Sequence, residues 1–193
     1  MSNGKPEGSA RDRLLAAATE LFYAEGVHTV GIDRVIERAG VAKASLYSTF
    51  GSKEELVRAY LARLAEGRQR RITERIARYD DPRDRILAIF DQLGERIALP
   101  TFRGCAFINA SAEGPRGETK VTRACSDSRT WLRELFIALA REAGAADPTA
   151  LGRQLVLLFD GATICAAMDG DLDAAAVARA TAVTLLDQHA PRR

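Results

Sequence analysis

A chain of 193 residues, 47% hydrophobic and 28% charged, has the make-up of one or two globular domains with a sizeable core. Its net charge of +2 excludes reading a nucleic-acid partner from composition alone, so such a partner has to be recognised by local placement of charge. The cysteines (Cys105, Cys125, Cys165) lack metal-type spacing and the histidines (His28, His189) sit at opposite ends, so no catalytic set, metal site or cofactor is expected.

The opening MSNGKPEGSA is polar, lacks the apolar core of a signal peptide, and reads as a disordered tail over 1–10. Without an apolar run long enough to cross a bilayer, the expectation is a cytoplasmic protein with reduced thiols and no membrane partner. Arg11 to Glu25 carries one apolar stripe (Leu14, Leu15, Ala18, Leu21, Phe22) and predicts the first helix, closed by Gly26. Ile32, Val35 and Ile36 recur at helical spacing until Gly40, with Gly31 as cap, and a second short helix follows at once. Ser52-Lys53-Glu54-Glu55 fits a capping box and opens a long helix to about Tyr79. Its second half is crowded by Arg68, Arg70, Arg71, Arg75 and Arg78, which read as a solvated face.

Asp81-Pro82 starts the next helix, with Ile86, Phe90, Leu93 and Ile97 on its inner side. A short helical segment around 103–112 and a loop at Gly114–Gly117 precede a helix of about Glu118 to Ala143. Asp147-Pro148 repeats the cap-plus-proline start for a helix to about Asp169, which carries Leu151, Leu155, Leu158, Phe159, Ala162, Cys165 and Ala166. Asp171 is expected to cap the last helix, which bears Ala176, Val177, Ala180, Val183 and Leu186. No strand-like alternation appears. The fold class is all-α with about nine helices: an N-terminal helix-turn-helix domain over 11–56 and a C-terminal helical ligand-binding and dimerisation domain over 57–193.

The stretch Gly31 to Phe50 organises the rest. Two helices joined by a glycine turn form a helix-turn-helix, and Arg38 through Lys53 holds three basic residues and no acid. Val35-Ile36, Ala39-Gly40-Val41, Leu46-Tyr47, Phe50 and Lys53-Glu54-Glu55-Leu56 together resemble the signature of the TetR family (TetR/AcrR-like) over roughly the first third of the chain. Alanine at 42, where many members have serine, removes a common helix cap; alanine also replaces a frequent glycine at 44. From the residues themselves, Lys43 suits a phosphate or a guanine edge and Lys53 a phosphate. The resemblance implies that Tyr47 donates its hydroxyl to a phosphate while Ala44, Ser45, Ser48 and Thr49 face the groove. Spacing puts Leu46 and Phe50 in the core.

The partners expected are a double-stranded DNA operator, an unknown small-molecule effector and a second copy of the chain. The last two helices are apolar enough to suggest a four-helix dimer interface, as in the resembling family. Phe90, Cys105, Phe107, Asn109, Trp131 and Phe159 are candidate pocket residues. A ligand that tilts the long helix would change the spacing of the two recognition helices and release the operator. The segment Arg103-Gly104-Cys105…Asn109 resembles one found in a branch of the family that senses electrophiles, which offers a redox-sensing regulator acting through Cys105 as the alternative. A helical enzyme or an interaction module is the reading from another class. It is disfavoured by the absence of an acid/base constellation and by the acid-free stretch, and activation instead of repression stays open.

Overall fold

The computed structural model describes residues 8–113 and 119–191. Among them lie nine α-helices and no strand: α1 (Ala10–Glu25), α2 (Ile32–Ala39), α3 (Lys43–Phe50), α4 (Lys53–Ile76), α5 (Pro82–Ile97), α6 (Ala106–Glu113), α7 (Lys120–Glu142), α8 (Pro148–Met168) and α9 (Ala174–His189). The loop expected at Gly114–Gly117 falls outside the described residues, as do residues 1–7 of the expected tail. The rest of that tail is structured: Ser9 and Asp12 form a capping box that opens α1 at Ala10.

Two compact units share the chain. One holds the N-terminal residues through Ala65 together with Ala106–Ser126; the other holds Glu66–Cys105 and everything from Asp127 onward. The helices α4 and α7 each contribute residues to both.

In the first unit α1, α2 and α3 pack on one another around Leu14, Ala18, Phe22, Val30, Val35 and Leu46. Tyr60 of α4 closes this core with its ring edge-on to Phe22, centroids 5.6 Å apart. Glycine is required at Gly40, whose φ of 61° and ψ of 44° give the left-handed C-cap that turns the chain from α2 into α3. At the start of α4 the Ser52 hydroxyl accepts the Glu55 amide N–H at 3.2 Å, but the Glu55 carboxylate pairs with Arg58 and Lys120. The opposite charges on α4 and α7 draw that side chain away from the reciprocal capping role expected of it.

The second unit is built on α5, α8 and α9, with Leu132, Phe136 and Leu139 of α7 completing its core. Phe90, Phe136 and Phe159 form a ring cluster with centroids 5.8–6.4 Å apart. Helices α7 and α8 cross closely at Gly152, where a Cβ would lie 2.8 Å from the Ile137 backbone nitrogen. Arg83, buried on α5, donates to the Ala190 carbonyl at 2.8 Å and pairs with Asp187, tying the ends of α5 and α9.

Several expectations change. The long helix stops at Ile76, and α9 is capped at Asp173, because Asp171 spends its carboxylate on the Asp173 amide at 2.9 Å in a turn before the helix. Of the apolar residues expected on α8 and α9, Cys165, Ala176, Val177 and Ala180 are exposed, and the buried side of α9 is the Ala174, Ala178, Ala182, Leu186 row. An interface face and a core face on one alanine-rich helix look alike in sequence. Arg68 belongs to no solvated face: it is buried and donates to both the Ser128 carbonyl and hydroxyl, at 2.5 and 2.6 Å. Finally, α8 does reach the length and apolarity of a bilayer span, with mean hydropathy 1.3 over its best window. That window is 44% buried inside the fold, and its Asp160 is paired with Arg129 of α7.

Candidate nucleic-acid interface

The helix α3 stands on a single anchor. Leu46 is fully buried, Ser45 and Phe50 are half-buried, and Lys43, Ala44, Tyr47, Ser48 and Thr49 form a continuous exposed edge. Tyr47 is 46% exposed, so its ring is not a core element. Ser48 Oγ donates to the Ser45 carbonyl at 3.2 Å, which leaves the oxygen's acceptor positions outward. No side chain caps α3; Ala42 has the extended backbone of an N-cap, and the Ser45 amide turns back onto the Ala42 carbonyl at 2.9 Å.

A lattice of ion pairs holds α2 and α3 on α1. Arg34 grips Glu25 with two hydrogen bonds of 2.5 and 2.9 Å, Arg38 grips Glu20, and Arg13 Nη1 donates to the Gly40 carbonyl at 3.2 Å, across the helix-turn-helix corner. Arg11 lies 5.6 Å from the Phe50 ring centroid, a cation–π contact at the far end of α3. The stretch that is free of acids in sequence is therefore not free of them in space. Arg38 is used to brace α1, and Lys43 Nζ sits 3.0 Å from Asp33 of α2. That partner's hydrogen bond and charge raise the Lys43 pKa. Lys43 also occupies the first position of α3, the positive end of the helix dipole, where Asp33 offsets an unfavourable placement.

Lys53, half-buried at the start of α4, has its pKa lowered by burial, an effect opposed by the charge of Glu113. Glu113, the last residue of α6, accepts the His28 amide N–H at 2.9 Å and so fastens the link between α1 and α2. Sequence periodicity offers no hint of this long-range clasp, nor of Arg11 beside α3.

The candidate pocket residues are divided. Phe90 is wholly buried in the ring cluster with Phe159; Trp131 packs half-buried against the same core, and Cys105 is half-buried in that unit. Phe107, buried, and Asn109, exposed, belong to the first unit. A cleft in the second unit is lined by Arg68, Arg71, Ile89, Gln92, Arg96 and Phe159 among others, and only Phe159 was expected there. No group of three metal-ligating side chains comes together among the described residues.

A sequence profile described as "Bacterial regulatory proteins, tetR family" matches residues 14–60, which run from α1 into α4. Among characterised proteins, the HTH-type transcriptional activator FasR of Mycolicibacterium smegmatis is 31% identical over 147 residues, 74% of this chain and 64% of FasR. The HTH-type transcriptional repressor NemR of Escherichia coli K12 is 34% identical over 113 residues, 58% of this chain and 57% of NemR. The chain thus aligns with less than two thirds of the length of these two relatives. Solved structures extend the likeness over nearly the whole fold. SCO4454, a TetR-family transcriptional regulator from Streptomyces coelicolor, superposes with a TM-score of 0.89 at 35% identity, covering 95% of this chain and 96% of that one. The sav143 structure from Streptomyces avermitilis gives 0.80 at 33% identity, covering 94% and 98%. These relatives and this fold are those of transcriptional regulators, not enzymes.

Proposed function

Because the chain belongs to the TetR family of transcriptional regulators, we propose that it acts in the cytoplasm as a homodimeric repressor, released from a near-palindromic operator by a small molecule. The observation that carries this reading is the presence, in one chain, of an exposed polar recognition edge on α3 and an exposed apolar stripe on α8 and its continuation. Leu157, Ile164 and Met168 are 66%, 41% and 79% exposed, and Leu172 and Val177 are 68% and 62% exposed. On α8 the three fall on one helical face, and such a stripe is larger than a monomer usually leaves in water. A dimer that grips adjacent major grooves needs its two α3 helices about 34–36 Å apart or a multiple of it.

Within each head, Lys43, Tyr47 and Lys53 would hold phosphates while Ala44, Ser45, Ser48 and Thr49 meet base edges; alanine suits a thymine methyl and the hydroxyls read with little selectivity. Binding through two heads multiplies two weak contacts, so an effector needs only to spoil their spacing. FasR is named an activator and NemR a repressor, and the position of the operator decides between the two outcomes. The test is a gel shift on the chain's own upstream duplex against a random duplex, with sedimentation of the wild type and a Leu157→Glu/Val177→Glu variant. A dimer that prefers the upstream duplex, and a variant that is monomeric and has lost that preference, are expected. A wild-type monomer without preference would overturn the reading.

A second reading has one observation in its favour. Cys105 is half-buried, so its thiol is open in part to a small electrophile, and it interacts electrostatically with Arg68. Rapid alkylation of Cys105 accompanied by loss of DNA binding would support sensing; slow labelling without effect would leave a packing role.

A further inference from the structure

The cations of the first unit are mostly committed. Arg34, Arg38, Lys43 and Arg58 are paired with Glu25, Glu20, Asp33 and Glu55, and Lys120 also holds Glu55. Arg13 is spent on the Gly40 carbonyl, and Lys53 lies in the field of Glu113. Two exposed cations of the unit, Arg11 of α1 and Arg63 of α4, have no carboxylate partner among the described residues. The neighbouring acid, Asp12, belongs to the capping box: the Ser9 hydroxyl donates to its carboxylate at 2.6 Å and the Ser9 amide at 3.3 Å. Those bonds lower the Asp12 pKa first, and the charges of Arg11 and Arg63 add to the effect without a hydrogen bond. A polyanion can therefore take either arginine without first breaking an ion pair.

Position separates the two. Arg63 stands ten residues past Lys53, about 15 Å farther along α4. Arg11 lies over the ring of Phe50, the last residue of α3, at 5.6 Å from its centroid. A cation–π contact uses the charge of the guanidinium and leaves its N–H donors for an acceptor. Lys43 opens α3 and Phe50 closes it, so the seats of the two cations are about 10 Å apart along the axis, against a major groove about 12 Å wide. The exposed residues Ala44, Tyr47, Ser48 and Thr49 lie between them. We propose that Arg11 is a further DNA contact, a phosphate clamp at the C-terminal end of α3 that matches Lys43 at the other end, so that the backbone is held on both sides of the reading edge. The inference rests on the DNA-binding reading above and adds to it a contact from outside the helix-turn-helix. The planar fork of donors on Arg11 suits two oxygens of one phosphate. A phosphate carries no sequence information, so Arg11 sets affinity and register, not the choice of bases.

The test is fluorescence anisotropy of the full-length protein on its own upstream duplex and on a random duplex, across about 50 to 200 mM salt, for the wild type, Arg11→Gln, Arg11→Met and Arg11→Lys. Arg11 is exposed at the second position of α1, so none of these changes touches the core. Arg11→Met also keeps an apolar stem on the Phe50 ring and serves where the Gln variant does not fold. Both neutral variants should lower the slope of log K against log[salt] by about 0.9 per head, or about 1.8 for a dimer, on either duplex. The ratio of upstream to random affinity should not change, and Arg11→Lys should keep the wild-type slope. A wild-type slope in the neutral variants, a lowered slope in Arg11→Lys, or a loss confined to the upstream duplex overturns the proposal; the last is the mark of an arginine that only steadies α3. Wild-type preference for the upstream duplex with unchanged slopes removes Arg11 and keeps the regulator. Absence of that preference removes the operator reading, while the slopes on the random duplex still decide for or against Arg11. A wild type that binds neither duplex overturns both.

Discussion

Lys43 offers the sharpest test of the proposed contact between α3 and DNA. In the free protein its ammonium faces Asp33 at 3.0 Å, with both side chains more than half exposed, so the pair is open to exchange with a phosphate. If Lys43 neutralises one phosphate per head, replacing it by alanine lowers the slope of log K against log[salt] by about 0.9 per head, or about 1.8 for a dimer. Between about 50 and 200 mM salt, a fourfold change, the wild-type advantage over Lys43→Ala should shrink about 3.5-fold per head and about twelvefold for two. Asp33→Asn should act the other way at low salt, tightening binding by removing both a competing anion and a charge that repels phosphate. Neither change should lower the Tm, because the pair is exposed and Lys43 sits at the unfavourable end of the α3 dipole. Fluorescence anisotropy of a labelled duplex, followed across a salt series, reads the slope. A Lys43→Ala slope equal to that of the wild type would mean that Asp33 keeps the ammonium in the complex, and would refute the assignment.

Three further outcomes can be checked on the isolated protein. Gly152→Ala places a Cβ 2.8–2.9 Å from Ile137 backbone atoms, so α7 and α8 must part. The overpacking cost of about 1–3 kcal/mol outweighs a helix-propensity gain of up to about 1 kcal/mol, and calorimetry should show a lower Tm. An unchanged Tm would show that the crossing is loose. Ala42→Ser restores a side-chain cap where the backbone is already extended, and should stabilise the protein by about 1 kcal/mol in urea unfolding; no gain would mean that α3 does not need the cap. Glu55 is held below the ordinary glutamate value of 4.5 by its hydrogen bonds to Lys120 and then Arg58. A folded pKa below the unfolded one contributes stability that is present above the unfolded value and is lost as the pH falls through the folded value. Melting curves of Glu55→Gln should therefore lose part of the wild type's acid-side fall in Tm, and parallel curves would remove Glu55 from the acid response.

Most of the helices were legible in the chain because their ends carry strong local chemistry. Asp81-Pro82 and Asp147-Pro148 begin α5 and α8 as expected, and Gly40 closes α2 in the left-handed conformation. On α3 the spacing marked Leu46 as the buried residue, whereas the groove-facing residues were assigned by the resemblance to the TetR family. What escaped was whatever depends on partners distant in sequence. Asp171 and Asp173 are chemically equivalent as caps, and only the turn geometry selects between them. Arg68 looked like one of five arginines on a wet face until Ser128, 60 residues away, took up its donors. Which apolar residues of α8 and α9 are buried and which exposed, as Cys165 and Val177 are, was not legible, because an outward apolar face has the same period as an inward one.

The clasp between Glu113 and the His28 amide, with the Lys120 to Glu55 bridge beside it, bears on how the N-terminal unit can be isolated. A gene fragment stopped at Ala65 would encode all three short helices and the start of α4, yet it would strip two anchors that come from more than forty residues downstream. The autonomy usually assumed for such a reading head is here partly borrowed from its own distant sequence. A grafted or truncated version should be designed with α6 and the first turns of α7 supplied.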